Sequence, residues 1–435
     1  MRGTDLMTHS KVILRPNPSR TVVRPFQPAD PDGYAIEGQP RPHRIAERIL
    51  SLDEDGLKAE LDRIMASFSG HQDDIEEILQ RRFDEEVSAL EIPNGNGLTH
   101  LRKLVIGGYF CEEFSFEAAA LFNPSIVISH DQSGLDEGTI RFFMALRGIG
   151  EGHVSSVTFR TGTWTPASGE IEIDTPRPAG IPPQIERKEG EEGRESLYLK
   201  SMGNHDISET VLFPMTQAQA RGIEDLRLCS FREDDGRIAH LGTYTAFSGL
   251  EARSELLRVS DDLRHFEMHV LKGSSANAKG MALFPRRIGG KYAMLGRMDN
   301  ENVWYLTSDD LLTWNDGKII IPPKYSWEFV QMGNCGSPHE LDEGWLVITH
   351  GVGSVRNYCL GASLLDKDDP TKLIKRMKLP LVHPSPKERD GYVPNVVYSC
   401  GALIHDRMLL LPYGVADSFT TFASVKVDDI LDAMV

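Results

Sequence analysis

From about residue 105 onward, apolar residues come in short runs separated by turn-forming residues. Examples are SIVI (125–128), RFFMAL (141–146), YAML (292–295), WLVI (345–348) and RMLLL (407–411). Runs this short, bounded by Gly, Asp, Asn and Pro, predict strands rather than helices. Residues 1–100 have a different texture. After a Pro- and Arg-rich opening, 43–66 and 72–90 carry apolar residues at helical spacing. Ile45, Ile49 and Leu50 share one face, and Leu57, Leu61 and Ile64 share another. Asp53 stands where it can cap the second half of the first segment. The stretch IPNGNGLTH then breaks the pattern and suggests a boundary near 92–98. The expected organisation is an N-terminal helical extension over 1–100 and a β domain over 101–435.

The β region repeats itself. GRIAHLG (236–242) is echoed by GKYAMLG (290–296) and more loosely by GWLVITHG (344–351). SDDLRHF (260–266) is echoed by SDDLLTW (308–314), with fainter copies of the acidic turn in KDDP (367–370) and VDDIL (427–431). The Asp–Asp pairs begin at 261, 309, 368 and 428. Such steps suit four-stranded propeller blades slightly longer than the usual ~40–50 residues. A blade is a small sheet with two faces to cover, so blades stack around an axis. Paired echoes in the same order argue against chance recurrence of Asp-rich turns.

Composition narrows the partners. The chain has 47 Lys plus Arg against 64 Asp plus Glu, a formal net charge of −17. That charge repels nucleic-acid phosphates and anionic membranes and is compatible with a neutral sugar. No apolar run is long enough to span a bilayer. The opening MRGTDLMTHSKVILRPNPSR has no signal-peptide core. Cys111, Cys229, Cys335, Cys359 and Cys400 are scattered, without CxxC spacing, and read as free thiols in a reducing compartment. The expected location is the cytoplasm. No Gly-rich nucleotide loop occurs, and the His residues lack ligand spacing, so neither cofactor nor metal is expected.

Within the β region, GIEDLRL (222–228) sets an acidic pair and an Arg between apolar residues. Strand alternation would put Asp225 and Arg227 on one face and Glu224 on the other. A carboxylate beside an Arg there is open to two readings: a structural ion pair, or one of the two carboxylates that glycosidic cleavage requires.

The segments FNPS (122–125), LRGIG (146–150), GIEDLRL, TYTAF (243–247) and KGMALFPRRIGGKYAMLGR (279–297) resemble glycoside hydrolase family 130, the β-mannoside phosphorylases and β-mannosidases. So do SDDLLTW, GWLVITHGV, LLDKDDP (364–370), GYVPNVVYSCG (391–401) and YGVAD (413–417), in the same order. The resemblance implies an all-β fold, a five-bladed β-propeller with a central mannose pocket, here carrying the N-terminal α-helical extension. It gives Asp225, of the E-D-x-R motif, the role of general acid, with Leu226 where the family usually has Pro. It implies that Asn123, Arg147 and Asp417 contact the sugar.

The resemblance also frames the choice of attacking group. Phosphorylases of the family carry a Lys shortly before GWL, and SPHELDEGWL (337–346) places Glu340 there. A carboxylate repels phosphate and can activate water. RMDNENVW (297–304) offers a second acidic candidate in Glu301, close to Asp299. Arg297, His350 and Lys279 keep the family's phosphate-binding character, and Glu224 and Arg227 complete the candidate pocket. The expectation is an inverting β-mannoside hydrolase, with Asp225 as acid and Glu340, joined or not by Glu301, as base. Their carboxyls should then stand roughly 6.5–9.5 Å apart. The alternative is a phosphorylase releasing mannose 1-phosphate. A third reading is a glycan-binding propeller without catalysis. An oligosaccharide is the expected partner, and self-association is left open.

Overall fold

A computed structural model describes residues 6–36, 40–68, 75–90, 97–186, 196–202, 206–385 and 391–435. The chain is mostly β and divides into two compact units. One comprises Ser19–Ser115 with Pro178–Gly180. The other comprises Met1–Pro18, Phe116–Arg177 and Ile181–Val435.

The smaller unit holds helices Arg41–Leu50, Glu54–Phe68, Ile75–Leu90 and His100–Tyr109, with a short sheet of Thr21–Pro25, Cys111–Ser115 and Ala179–Gly180. The segment 43–66 is two helices: the first ends at the Ser51 cap, and Asp53 starts the second. Its carboxylate accepts from Gly56 N at 2.8 Å, satisfying a first-turn donor. Helix His100–Tyr109, which the apolar pattern did not reveal, is capped by Thr99. Its Gly107 runs so close to Ile75–Leu90 that a Cβ there would lie 2.0 Å from the Leu79 carbonyl oxygen. Most of the expected break at 92–98 lies outside the described residues. The boundary between units falls at 115/116 rather than at 100/101, and the first strand of the chain belongs to the larger unit.

The larger unit is a succession of antiparallel strand sets. The first runs Ala120–Ile128, Ile140–Ile149, Ser155–Thr165, Glu170–Ile173. The second runs Gly222–Arg232, Ile238–Phe247, Ala252–Val259, His265–Val270, with Ser196–Lys200 beyond. A lone parallel pairing, Gly222 with Ser155, joins these two. The third is Ala282–Leu283, Tyr292–Gly296, Val303–Ser308, Lys318–Ile321, and the fourth Gln331–Asn334, Trp345–Val352, Tyr358–Leu365, Leu373–Arg376. The last pairs Val397–Tyr398, Met408–Val415 and Phe419–Lys426, and takes its outer strand, Thr8–Leu14, from the start of the chain.

The sequence repeats fall at equivalent places in these sets. GRIAHLG, GKYAMLG and GWLVITHG feed the second strands, and all four Asp–Asp pairs follow third strands. After Phe419–Lys426 the acidic turn opens helix Val427–Ala433 instead of a fourth strand, since Thr8–Leu14 already occupies that edge.

Alternating side chains from each set enter two apolar clusters. Phe143 and Phe159 meet Leu228 and Leu257; Phe231 and Leu256 meet Met294 and Leu306. Phe284 and Leu295 meet Trp345 and Val347; Leu346 and Leu360 meet Leu409 and Val425. A further cluster returns from the last set to the first, with Leu410 and Phe422 against Leu121 and Met144.

Candidate active site

Two bulges build the centre of the site. In Ala120–Ile128 the pairing with Ile140–Ile149 slips between Phe122 and Ser125, and Asn123 takes a left-handed φ of 49°. In Gly222–Arg232 it slips between Glu224 and Arg227, and Asp225 takes φ 55°. A bulge re-aims the side chains around it. Strict alternation therefore fails here: Glu224 and Asp225 reach the same guanidinium. Arg147 places Nη2 2.7 Å from Glu224 Oε1 and Nη1 3.3 Å from Asp225 Oδ1, while its Nε donates to Ser155 Oγ at 2.7 Å. Asn123 Nδ2 donates to Asp225 Oδ1 at 2.8 Å, and Lys279 Nζ to Glu224 Oε2 at 2.9 Å.

This surrounding fixes the charge of Asp225. Burial acts to raise its pKa, but Arg147 and Arg227, with Asn123 and Lys279, hold it below the usual carboxylate value. Burial also opposes the charge on Arg147, yet Asp225, Glu224 and Asp417 hold its pKa up. Asp417, in a left-handed turn at φ 49°, behaves differently. Burial, reinforced by the charge of Asp225 and resisted by Arg147 and Arg356, raises it to about 6.

Beneath Asp225 lies a second, cationic group. Arg227 is buried; Nη1 donates to the Asp225 carbonyl oxygen at 2.9 Å and Nη2 to Tyr398 Oη at 2.8 Å. Gly280, at φ 81°, passes between Arg227 and Arg297, so that a Cβ there would meet atoms of both at 3.8–3.9 Å. Asn334 Nδ2 anchors that turn on the Gly280 carbonyl oxygen at 2.7 Å. His350 is buried with Nδ1 3.3 Å from the Asn334 carbonyl oxygen, and Nε2 3.3 Å from both Arg297 Nη1 and Gln331 Nε2. Burial, with Arg297 and Arg227 nearby, keeps its pKa well below the ordinary histidine value. The ring is thus neutral, protonated on Nδ1, and its Nε2 accepts from Arg297.

Among the described residues no carboxylate forms an ion pair with Arg227 or Arg297, and the buried Nε of each has no hydrogen-bond partner. Arg227 is buried and Arg297 partly so; a cation drawn out of water without a paired carboxylate is costly, and an anion between the two relieves that cost. Asn123 Oδ1 is likewise a buried acceptor without a partner. Among the described residues no three His, Cys, Asp or Glu side chains converge as a metal-binding group.

The remaining acidic candidates lie in other settings. Asp299 accepts from Glu301 N, Asn302 N and Asn302 Nδ2 at 2.7–2.9 Å; these bonds outweigh the effect of burial and bring its pKa to about 2. It shapes the turn on which Glu301 is exposed. Glu340 is held by Arg286 through two bonds of 2.7 and 2.9 Å and by Arg232 at 3.2 Å. The Arg286 hydrogen bond is the main cause of its lowered pKa. Arg232 ends the strand that carries Asp225, seven positions on, so the Cα atoms of those two residues stand on the order of 20 Å apart at ~3.3 Å per residue.

Several contributors had no local signal in the sequence. Ser155 orients Arg147, and Asn334 and Gln331 fix His350. Tyr398 lies in a segment of evident interest, but only the fold brings it to Arg227.

A family profile of glycoside hydrolase family 130, described as beta-1,4-mannooligosaccharide phosphorylase, matches residues 203–435. A 1,2-beta-oligomannan phosphorylase of Thermoanaerobacter sp. (strain X514) is 35% identical over 52% of this chain and 75% of its own length. A beta-1,2-mannobiose phosphorylase of the same organism is 37% identical, over 52% and 73%. The structure of beta-1,2-mannobiose phosphorylase from Listeria innocua superposes with a TM-score of 0.50 at 24% identity, covering 74% of this chain and 92% of that one.

These findings correct the expectation of a hydrolase, a β-mannosidase with Glu340 as base: the relatives are phosphorylases. The geometry agrees, since Glu340 is neutralised by two arginines at the far end of the strand from Asp225. Glu340→Gln is expected to leave kcat within about twofold of wild type. It should cost about 1 kcal/mol of stability, because the pair is partly exposed. Parallel kinetics and thermal denaturation check this, and a collapse of kcat with an unchanged Tm would return Glu340 to the chemistry.

Proposed function

Because the chain belongs to glycoside hydrolase family 130, we propose that it is a β-mannoside phosphorylase. The observation that carries the reading is the Arg227–Arg297–His350 group: two guanidiniums without a carboxylate partner among the described residues, Arg227 on the Asp225 carbonyl oxygen while Arg147 and Asn123 hold its carboxylate. The five interlocking apolar clusters, the last returning to the first set, support a five-bladed propeller with this group at its axis. Five unpaired cysteines support a reducing, cytoplasmic setting. Among the described residues no helix is long and apolar enough to cross a membrane.

In this mechanism Asn123, Arg147 and Asp417 hold the mannosyl unit. Arg227 and Arg297 hold phosphate, and Lys279 is shared between phosphate and Glu224. A phosphate oxygen forms the new bond to C1 as the bond from C1 to the leaving sugar oxygen breaks, inverting the centre. That oxygen takes a proton delivered by Asp225. The products are α-mannose 1-phosphate and a sugar shortened by one unit.

The low pKa of Asp225 becomes a useful property here. Arg147, Arg227 and Lys279 keep the carboxylate ionised; a phosphate between Arg227 and Arg297 offsets their charge and raises its proton affinity. Phosphate thus readies the acid at the moment the nucleophile is in place.

The test is product analysis on β-1,2- and β-1,4-linked mannobioses, with and without inorganic phosphate. Mannose 1-phosphate formed only with phosphate is the expected result. Free mannose released at a rate independent of phosphate would overturn the proposal.

A further inference from the structure

Glu224 divides its two carboxylate oxygens between two cations of unlike mobility. Oε1 accepts from Arg147 Nη2 at 2.7 Å, and Oε2 from Lys279 Nζ at 2.9 Å. Arg147 is pinned. Its Nε donates to Ser155 Oγ at 2.7 Å, and that hydroxyl donates in turn to the Ile223 carbonyl oxygen at 2.9 Å. Its other contact runs to Asp225, where Nη1 stands 3.3 Å from Oδ1, long for a charge-assisted bond. Lys279 is freer. Its side chain is 38% exposed against 12% for Glu224, and its ammonium ends a flexible stem, 4.9 Å from the centroid of the Phe247 ring. It also precedes Gly280, the residue that passes between Arg227 and Arg297.

An anion between those arginines therefore competes with Glu224 for the lysine. Phosphate offers more charge than one carboxylate, and an ammonium turns readily between acceptors because its donors form no fixed fork. Glu224 is then left with a single cation. Its charge falls on Arg147, which Ser155 keeps in place, so the guanidinium closes on Glu224 and the longer bond to Asp225 gives way. A carboxylate that loses a cation takes up a proton more readily.

We infer that Glu224 is a positioning residue that carries the arrival of phosphate to the acid Asp225, through Lys279 on one oxygen and Arg147 on the other. The inference rests on the phosphorylase reading. It adds a second route by which phosphate readies the acid, besides the direct effect of the anion on Arg227 and Arg297. Other ionisable groups face Asp225. Burial keeps Tyr398 and Cys400 protonated and His350 neutral, and the Arg227 guanidinium stays charged. Asp417, raised by burial to about 6, does titrate, as does phosphate itself. Both are common to wild type and variants, so the readout is the displacement that phosphate causes in each protein.

The test is the pH profile of mannobiose turnover at limiting and at saturating inorganic phosphate, for wild type, Glu224→Gln and Glu224→Asp. Glutamine keeps the length of the side chain but not the charge that two cations share. Aspartate keeps the charge, and with it a counter-ion for Arg147, but draws it back by one carbon, which guards against a glutamine variant that does not fold. An enzyme that needs its acid protonated loses activity on the alkaline side. In wild type, saturating phosphate is expected to move that fall upward by about one pH unit. In both variants the displacement should shrink to about half or less, leaving the direct effect of phosphate. A lowered kcat with an undiminished displacement would show that Glu224 merely shapes the site, and overturns the inference. So does a phosphate-dependent wild type whose profile phosphate does not displace. Wild-type turnover that needs no phosphate would overturn the functional reading itself, and the relay with it.

Discussion

Asp225→Asn is expected to reduce kcat for phosphorolysis by about 10²–10⁴-fold, the usual range for a lost general acid. The substitution keeps the shape of the side chain and an oxygen for Asn123 Nδ2, now 2.8 Å from Asp225 Oδ1. It removes the transferable proton and one of the charges facing Arg147. Glu224 still pairs with Arg147 at 2.7 Å, so the guanidinium is not left without a partner. The sugar and phosphate sites should survive, and KM for each should move by only a few-fold. The decisive measurement is a substrate with an activated leaving group, such as an aryl β-mannoside, which needs little protonation. If the variant regains much of the lost rate there, Asp225 acts on the leaving oxygen. An equal loss on both substrates would mean that Asp225 only shapes the site.

Arg297→Ala should strike the other half of the reaction. Among the described residues Arg297 has a buried Nε without a partner and no carboxylate within ion-pair distance; Nη1 lies 3.3 Å from His350 Nε2. Removing it takes away a charge-assisted bond to phosphate worth about 1.5–3 kcal/mol, which is roughly a 10- to 150-fold rise in the phosphate KM. The mannoside KM should be unaffected. Arg297→Lys should fall between, since lysine restores charge but not the planar fork. Initial rates over a grid of phosphate and mannoside concentrations separate the two KM values. An unchanged phosphate KM would remove Arg297 from the anion site. Arg227 is a poorer probe, because it also supports the Asp225 backbone and Tyr398.

The helical and β textures of the chain were legible from apolar spacing, and the equivalence of the repeats was legible from GRIAHLG and GKYAMLG. Spacing reports burial on one element, and each of those elements buries its own face. Helix His100–Tyr109 escaped because HLRKLVIGGY reads equally as a strand entering the β region, and its glycines look like turn residues. Gly107 is there because another helix passes over it, a reason with no trace in the local sequence. The role of Thr8–Leu14 was hidden for a related reason: a single edge strand is assigned by its partner, and the partner, Phe419–Lys426, lies at the other end of the chain.

Glu340 shows the limit most clearly. Its position before GWL made it a rival to phosphate, since one-dimensional order cannot tell the two ends of a strand apart. Only the tertiary structure shows that Arg286 and Arg232 hold it far from Asp225. The alternation argument for Glu224 and Asp225 failed because a bulge adds a residue to one strand and rotates the residues after it, an event set by pairing across strands. The sequence by itself determined the inventory: repeated strands, a carboxylate pair with an arginine, a polar turn ending in Asp417, and charged residues suited to a sugar and an anion. The tertiary structure alone decided which of these meet. Strand sets far apart in sequence converge at one end, and there a charge is worth what its neighbours make it.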